Sequence, residues 1–329
     1  MARYYRTDLG SNALVSTEIT GYAVSFLLYL YNHTGVAEYR DAGLRAANFL
    51  VDTWDANLGV FPFEQPAALA YFFDSGIIVR GLLSAWRATR KSEFLETAMD
   101  AGRGMLAHFN SANEIHPILT LPDRKPRPYE PRWSASPGCY QLKSAMAWFD
   151  LWEVSGDTEM LAAYETALER ALASAQAFLP GDPNSEKVMD RLHAYSYFLE
   201  GMLPRADTKS CAQAISDGIT RVSHHLNAIA PSFARSDVYA QLLRVRLFAD
   251  ALGIAPLDAA EAAHEAERAA AFQMESLDVR IEGGFGFGTR RGEIMKFVNP
   301  VSTAFCAQAL TMWEQHQNHV FQAHRSELV

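Results

Sequence analysis

"LYNHTGVAEY" at positions 30–39 is written again as "AWRATRKSEF" at 85–94 and as "LWEVSGDTEM" at 151–160. Each copy sets an aromatic (Tyr31, Trp86, Trp152) three residues before a Thr or Ser (Thr34, Thr89, Ser155). A Glu follows four residues later (Glu38, Glu93, Glu159), and then Tyr39, Phe94 or Met160. Both spacings hold without a gap, so the chain carries an internal repeat.

The flanks say what is repeated. Before the first copy, "TGYAVSFLLYLYNH" places Val24, Leu27, Leu28 and Tyr31 on one helical stripe. "GIIVRGLLSAW" and "YQLKSAMAWFDLW", before the other two, are apolar around more of their circumference, as helices buried on most sides are. The segments that follow each copy, "EYRDAGLRAANFLVDTW", "EFLETAMDAGRGMLAHF" and "EMLAAYETALERALASAQAFL", are amphipathic and more charged. The Thr or Ser closes one helix or caps the next. The Glu falls in the first turn of the second helix, where a carboxylate suits the free N–H groups. The repeated unit is an αα-hairpin.

The second half of the chain continues the series. "HAYSYFLEGML" with "TKSCAQAISDGITRVSHHL" makes a fourth hairpin, and "SDVYAQLLRVRLFADAL" with "PLDAAEAAHEAERAAAFQ" a fifth. "NPVSTAFCAQALTMWEQH" opens a sixth, whose second helix is short or missing. The first helices start near Thr20, Asp74, Gly138, His193, Asp237 and Asn299, a period of about 55 residues with loop insertions. Only "EGGFGFGTRR" reads as a small β-hairpin or turn. The expectation is an all-α fold in one domain spanning 1–329.

Composition bounds the function. At 49% hydrophobic and 20% charged residues the chain can bury a large core. Its net charge of -9 argues against a nucleic-acid surface and gives no general attraction to anionic membranes, while leaving room for a local basic pocket. No apolar run reaches the roughly 20 residues of a membrane span, and the N-terminus carries no secretory signal pattern. Cys139, Cys211 and Cys306 are odd in number and far apart, so buried reduced thiols are expected rather than a disulfide framework. These features suggest a cytoplasmic protein. No cofactor is expected, and "SHH" at 223–225, on an outer helix with no third ligand nearby, is not read as a metal site. "GGFGFG" does not follow a strand within a βαβ unit and is not read as a phosphate loop.

Six αα-hairpins in sequence resemble the (α/α)6 toroid of the six-hairpin glycosidase-like superfamily. That group includes unsaturated glucuronyl hydrolases, N-acylglucosamine 2-epimerases and several polysaccharide lyases. The resemblance covers roughly residues 15–318 and rests on "TGYAVSFLLYLYNHTG", "FDSGIIVRGLLSAW", "SPGCYQLKSAMAWFDLWEVSGD" and "EGGFGFG…NPVSTAFCAQAL". It is a likeness of architecture, and no catalytic motif of the family is matched residue by residue. It implies that the first helix of each hairpin lies inside, with its approach loops gathered round a sugar-binding mouth.

The residues at those six starts are therefore the candidates. As catalytic groups we single out Asp74, Glu64, Glu18, His193 and Asp237. As substrate-binding groups we take Tyr22, Phe73, Arg132, Trp133, Tyr140, Tyr195, Arg290, Lys296 and Asn299. Aromatic rings stack on pyranose faces, and carboxylates and amides bond the hydroxyls. The Pro-rich loop "DRKPRPYEPRWSASPGCYQLK" is long and rich in Arg, Tyr and Trp, as functional loops are. Capping competes with function at Asp74, Ser136, Ser236 and Asn299, and a structural Asp–His pair at Asp190 and His193 competes with a catalytic one.

Three functions follow in order. The first is cleavage of a glycosidic bond, by hydrolysis or by elimination, in an oligo- or polysaccharide that is plausibly acidic, with Asp74 as first choice and Glu64, Glu18 or Asp237 as its partner. A lyase would use His193 or Tyr195 as base and Arg132 or Lys296 to neutralise a uronate. The second is a sugar epimerase, which the resemblance links to two histidines, of which His193 is one and His116 a candidate for the other. The third is a toroid that binds a glycan or a partner protein without turnover.

Overall fold

Eleven α-helices and nine short strands succeed one another in the computed structural model, which describes residues 1–64 and 66–329. The helices are α1 (Thr17–Thr34), α2 (Ala37–Thr53), α3 (Phe72–Thr89), α4 (Ser92–His108), α5 (Leu142–Ser155), α6 (Thr158–Phe178), α7 (Ser185–Gly201), α8 (Lys209–Ile229), α9 (Ser236–Ala251), α10 (Ala259–Ala270) and α11 (Pro300–Gln317). The strands are β1 (Tyr5–Arg6), β2 (Ser11–Asn12), β3 (Leu69–Tyr71), β4 (Ile118–Thr120), β5 (Lys125–Pro126), β6 (Phe233–Arg235), β7 (Gly288–Arg290), β8 (Glu293–Ile294) and β9 (Phe297–Val298). After α11 only a 3-10 turn, Arg325–Glu327, follows among the described residues.

The repeat is a helix-stop device used three times. Thr34, Thr89 and Ser155 each donate a hydroxyl to the carbonyl four residues back, at 2.7 Å in every case. Each also accepts the N–H two residues on, from Val36, Lys91 and Asp157. Between them stands a left-handed residue, Gly35, Arg90 or Gly156, with φ of 69°, 60° and 74°. Its N–H donates to the carbonyl of the repeated aromatic, at 2.8, 2.7 and 2.8 Å. Side chain and backbone together satisfy carbonyls that a helix end leaves open.

The chain divides into two compact units. The first contains residues 1–3, 14–173 and 326–329. Within it α1 packs against α2 and α3, and α3 against α4 and α5. The odd-numbered helices are buried along most of their length, whereas α2 buries only Gly43, Ala47 and Leu50. Gly76 makes the α3–α5 contact possible: a Cβ there would stand 2.4 Å from the carbonyl oxygen of Ser144. Across the same contact, buried Arg80 and Asp150 pair at 2.9 Å. The sheet β3-β4-β5, antiparallel with Tyr71 opposite Ile118, delivers the chain into α3.

The second unit contains residues 4–13 and 174–325. Here α7 packs against α8 and α9, and α9 against α10 and α11. Arg244, fully buried on α9, donates to Glu200 of α7 and, at 2.9 Å, to Gln308 of α11, with its guanidinium 4.0 Å from the centre of the Phe305 ring. Two three-stranded antiparallel sheets lead into helices: β6 of β6-β7-β8 into α9, and β9 of β2-β1-β9 into α11. The strands β7 and β8 come from the end of the Gly-rich segment.

One helix starts earlier than its sequence suggests. The fourth first-helix begins at Ser185, where the Asn184 side chain accepts the N–H groups of Glu186 and Lys187, rather than near His193. Its first turn, Ser185 to Lys187, is polar and charged and reads as loop, although Val188, Met189 and Leu192 behind it are buried. His193 thus lies within α7. Cys139, Cys211 and Cys306 are free and buried. No helix among the described residues is long and apolar enough to cross a membrane.

Candidate functional site

Two clusters of ionisable side chains stand at helix starts, one in each unit. In the first unit the start of α1 is capped by Ser16, whose Oγ accepts the Ile19 N–H at 3.3 Å, which places Glu18 in the first turn. The start of α3 is fixed by β3, and the Phe72 N–H donates to the Pro117 carbonyl at 3.0 Å. Tyr71 occupies the cap position without a side-chain bond, so Asp74 lies inside the first turn and is not the cap.

Glu18 and Asp74 perturb one another. Burial pushes the Glu18 carboxyl up to about 7, with the Arg3 charge opposing. Burial also drives Asp74 well above the usual carboxylate range, the negative charge of Glu18 adds to the rise, and Arg3 opposes it. Asp74 is 5% exposed, and its Oδ2 has no hydrogen-bond partner. An orphaned buried carboxyl oxygen is costly and calls for a functional explanation. Two carboxyls that share a poorly solvated site hold a proton at neutral pH.

Aromatic rings surround this pair. Tyr71 lies 5.0 Å from Phe63, whose ring carries the Arg3 guanidinium at 5.4 Å. Phe73 lies 6.2 Å from Tyr140, which meets Trp133 edge-on at 5.0 Å. Burial and the Asp74 charge raise the pKa of Tyr71, against the opposing charges of Arg132 and Arg127. The Tyr140 hydroxyl donates to the Ser136 carbonyl at 3.1 Å, and burial lifts its pKa far above the tyrosine range. The Pro-rich loop thus supplies Arg132 and Trp133 to the residues that begin α3.

In the second unit His193 Nδ1 lies 2.7 Å from Gln241 Oε1 and 3.5 Å from Asp237 Oδ2. With the amide oxygen as acceptor, Nδ1 carries the proton and Nε2 keeps its lone pair. Burial lowers the imidazole to about 4, against the pull of Asp237, so the ring is neutral at pH 7. Arg235 grips Asp237 through Nε at 3.0 Å and Nη2 at 2.6 Å, and reaches Asp190 at 2.8 Å. Despite its burial, Asp237 is held below the usual range by Arg235 and His193. It is a fixed anion that orients neighbours and is unsuited to donate a proton.

No protein-family model matches this chain, and no curated protein matches it. Solved structures do. A sugar epimerase from a ruminal bacterium superposes with a TM-score of 0.69 at 12% identity, covering 94% of this chain and 92% of that one. The cellobiose 2-epimerase of Spirochaeta thermophila DSM 6192 gives 0.68 at 13%, covering 92% and 87%. An unsaturated glucuronyl hydrolase with dGlcA-Glc-Rha-Glc gives 0.65 at 14%, covering 95% and 92%. The fold is the (α/α)6 toroid.

Among the first helices of the toroid's hairpins, the candidates divide. Glu18, Asp74, Phe73, Tyr140, Trp133 and Arg132 converge in the first unit. Tyr22, four residues after Glu18 and so on the same helical face, is 2% exposed. Glu64 is half-buried and forms no hydrogen bond or ion pair among the described residues. In the second unit His193 shares its face with Tyr197 at 4.5 Å, whereas Tyr195 turns toward α8, where the Arg221 guanidinium lies 5.7 Å from its ring. Asn299 caps α11, accepting the Ser302 N–H at 2.6 Å. Arg290 and Lys296 line a separate cavity of the second unit. Neither Ser136 nor Ser236 is a side-chain N-cap: their hydroxyls donate to the carbonyls of Glu130 and Gly286. Arg3 belongs to no period or motif of the sequence, whereas Gln241 follows Asp237 by four residues in the fifth first-helix, a spacing that puts both on one face.

Proposed function

We propose that this protein is a carbohydrate-active enzyme that cleaves a glycosidic bond, with Asp74 as proton donor and Glu18 as the carboxylate that assists. The observation that carries this reading is the Glu18–Asp74 pair, in which buried Asp74 keeps an unpartnered Oδ2 beside half-buried Glu18. Protonated Asp74 delivers a proton to the departing sugar oxygen as the bond to the anomeric carbon breaks, and ionised Glu18 activates the water or attacks the carbon. Phe73, Tyr140 and Trp133 offer ring faces to a pyranose, and Arg132 offers a cation to a hydroxyl or an acidic substituent. The whole chain acts as one domain in this reading, in the cytoplasm, where its three buried thiols stay reduced.

A sugar epimerase is the second reading. It is favoured by His193, a buried neutral imidazole whose Nε2 is free to take a proton while Gln241 and Asp237 fix the ring. The experiment that separates the two incubates the protein with oligosaccharides and with their reducing-end monosaccharides. New reducing ends from the oligosaccharides support cleavage. Interconversion of C2 epimers without new reducing ends supports the epimerase.

A further inference from the structure

We propose that the second unit binds a phosphorylated sugar in a cavity formed by β1, the β7–β8 hairpin and the run into β9. The cavity measures about 810 Å³, and Tyr4, Arg6, Arg290, Arg291, Lys296 and Phe297 line it. That volume falls within the range of small-molecule sites. Asp8 and Glu293 also face it, so four cations meet two carboxylates in a chain whose net charge is -9.

Two of the cations are already matched. Arg6 grips Asp8 through Nε and Nη2 at 2.8 and 2.7 Å. Arg290 lies 3.6 Å from Glu186, with its guanidinium 5.0 Å from the centre of the Phe233 ring. Among the described residues the side chains of Arg291 and Lys296 have no hydrogen-bond or ion-pair partner. The four cations exceed Asp8, Glu186 and Glu293 by one charge, and the two side chains left unmatched, Arg291 and Lys296, can each meet an oxygen of one anionic group. A phosphate monoester carries about -1.5 to -2 at pH 7 and offers three strong acceptor oxygens, against two on a carboxylate of unit charge.

The backbone holds these cations in place. Arg291 and Gly292 form the two-residue turn between β7 and β8, with φ of 52° and 81°. Asn or Gly is the usual first residue of such a turn. A long side chain held there in the left-handed region is a locally unfavourable choice that a ligand-facing guanidinium accounts for. The Arg291 N–H donates to the Ser232 carbonyl at 2.7 Å, and the Thr7 N–H to the Lys296 carbonyl at 3.1 Å. Tyr4 and Phe297, with ring centres 5.8 Å apart and planes at 56°, supply apolar faces for the sugar ring.

The test is calorimetric titration of the full chain with glucose 6-phosphate, glucuronate and glucose. Glucose 6-phosphate binds, and the other two bind roughly tenfold or more weakly, the scale of one charge-assisted contact. Arg291→Asn, which suits the turn at least as well, and Lys296→Gln each weaken glucose 6-phosphate by about tenfold without lowering the melting temperature. Binding is read without turnover, so the outcome is independent of the Glu18–Asp74 chemistry. Failure of glucose 6-phosphate to bind, equal binding of glucose or glucuronate, or unchanged affinity in both variants would overturn the proposal.

Discussion

Glu18 and Asp74 stand in the first turns of α1 and α3, two helices packed against each other, and the charge of Glu18 adds to the burial that keeps Asp74 protonated. A carboxylate in the first turn of a helix normally gains from the dipole and titrates low. Here burial and a like-charged neighbour outweigh that gain.

The pair makes stability depend on pH with an unusual sign. Both folded-state values lie above those of the unfolded chain, so the folded protein binds more protons. The stabilisation is complete below the ordinary carboxylate range, near pH 4, and is lost as pH rises through about 7. Wild-type melting temperature should therefore fall between about pH 5 and pH 8 relative to Glu18→Gln and Asp74→Asn. Parallel melting curves for all three would show that the pair is not perturbed.

His193 contributes in the opposite sense. Its folded value, about 4, lies below the unfolded one, so its stabilisation is present above about pH 6.5 and is lost as pH falls toward 4. Nitrogen-detected NMR of the imidazole should find it neutral at pH 6, protonated on Nδ1. A ring that titrates near 6.5 would contradict the burial described for it.

The helix-stop device predicts a backbone effect free of contacts. A Cβ built on Gly35 or Gly156 meets nothing within 4 Å, yet both residues are left-handed. Gly35→Ala and Gly156→Ala should each cost about 1 kcal/mol in denaturant unfolding. Gly76→Ala, which meets the Ser144 backbone, should cost about 1–3 kcal/mol by forcing α3 from α5. Equal losses at the three sites would mean that crowding is not what the Gly76 position avoids.

The Arg80–Asp150 pair is nearly buried on both sides, with side chains 6% and 1% exposed. Removing one partner leaves the other charged and unsolvated, so Asp150→Ala should destabilise by about 3–5 kcal/mol. Replacing both residues with apolar ones of similar size should cost much less. A double variant as unstable as the single one would show that Arg80 matters through its other contacts.

The repeat made the fold legible because it encodes something local: an aromatic, a hydroxyl and a left-handed residue close each first helix in the same way. Asp74 and Glu18 are legible as residues at helix starts, with Glu18 one of three candidate partners of Asp74, and the choice among the three depends on how α1 meets α3. The start of α7 is hard to read because Asn184 caps a polar, charged first turn, and only Val188, Met189 and Leu192 behind it show the apolar face. Tyr195 lies two positions from His193 and therefore on another face of α7, toward Arg221 of α8. Arg3 could not be found at all, because it reaches Glu18 and Asp74 from an irregular segment with no pattern to read.

The central claim is tested most directly by the turnover of Asp74→Asn on an oligosaccharide that the wild type cleaves. Asn preserves the size and helix position of Asp74 but cannot supply the proton. The account predicts a folded protein with activity reduced by about 10²-fold or more, the usual scale for losing acid–base help. Unchanged turnover in a folded Asp74→Asn protein would contradict it.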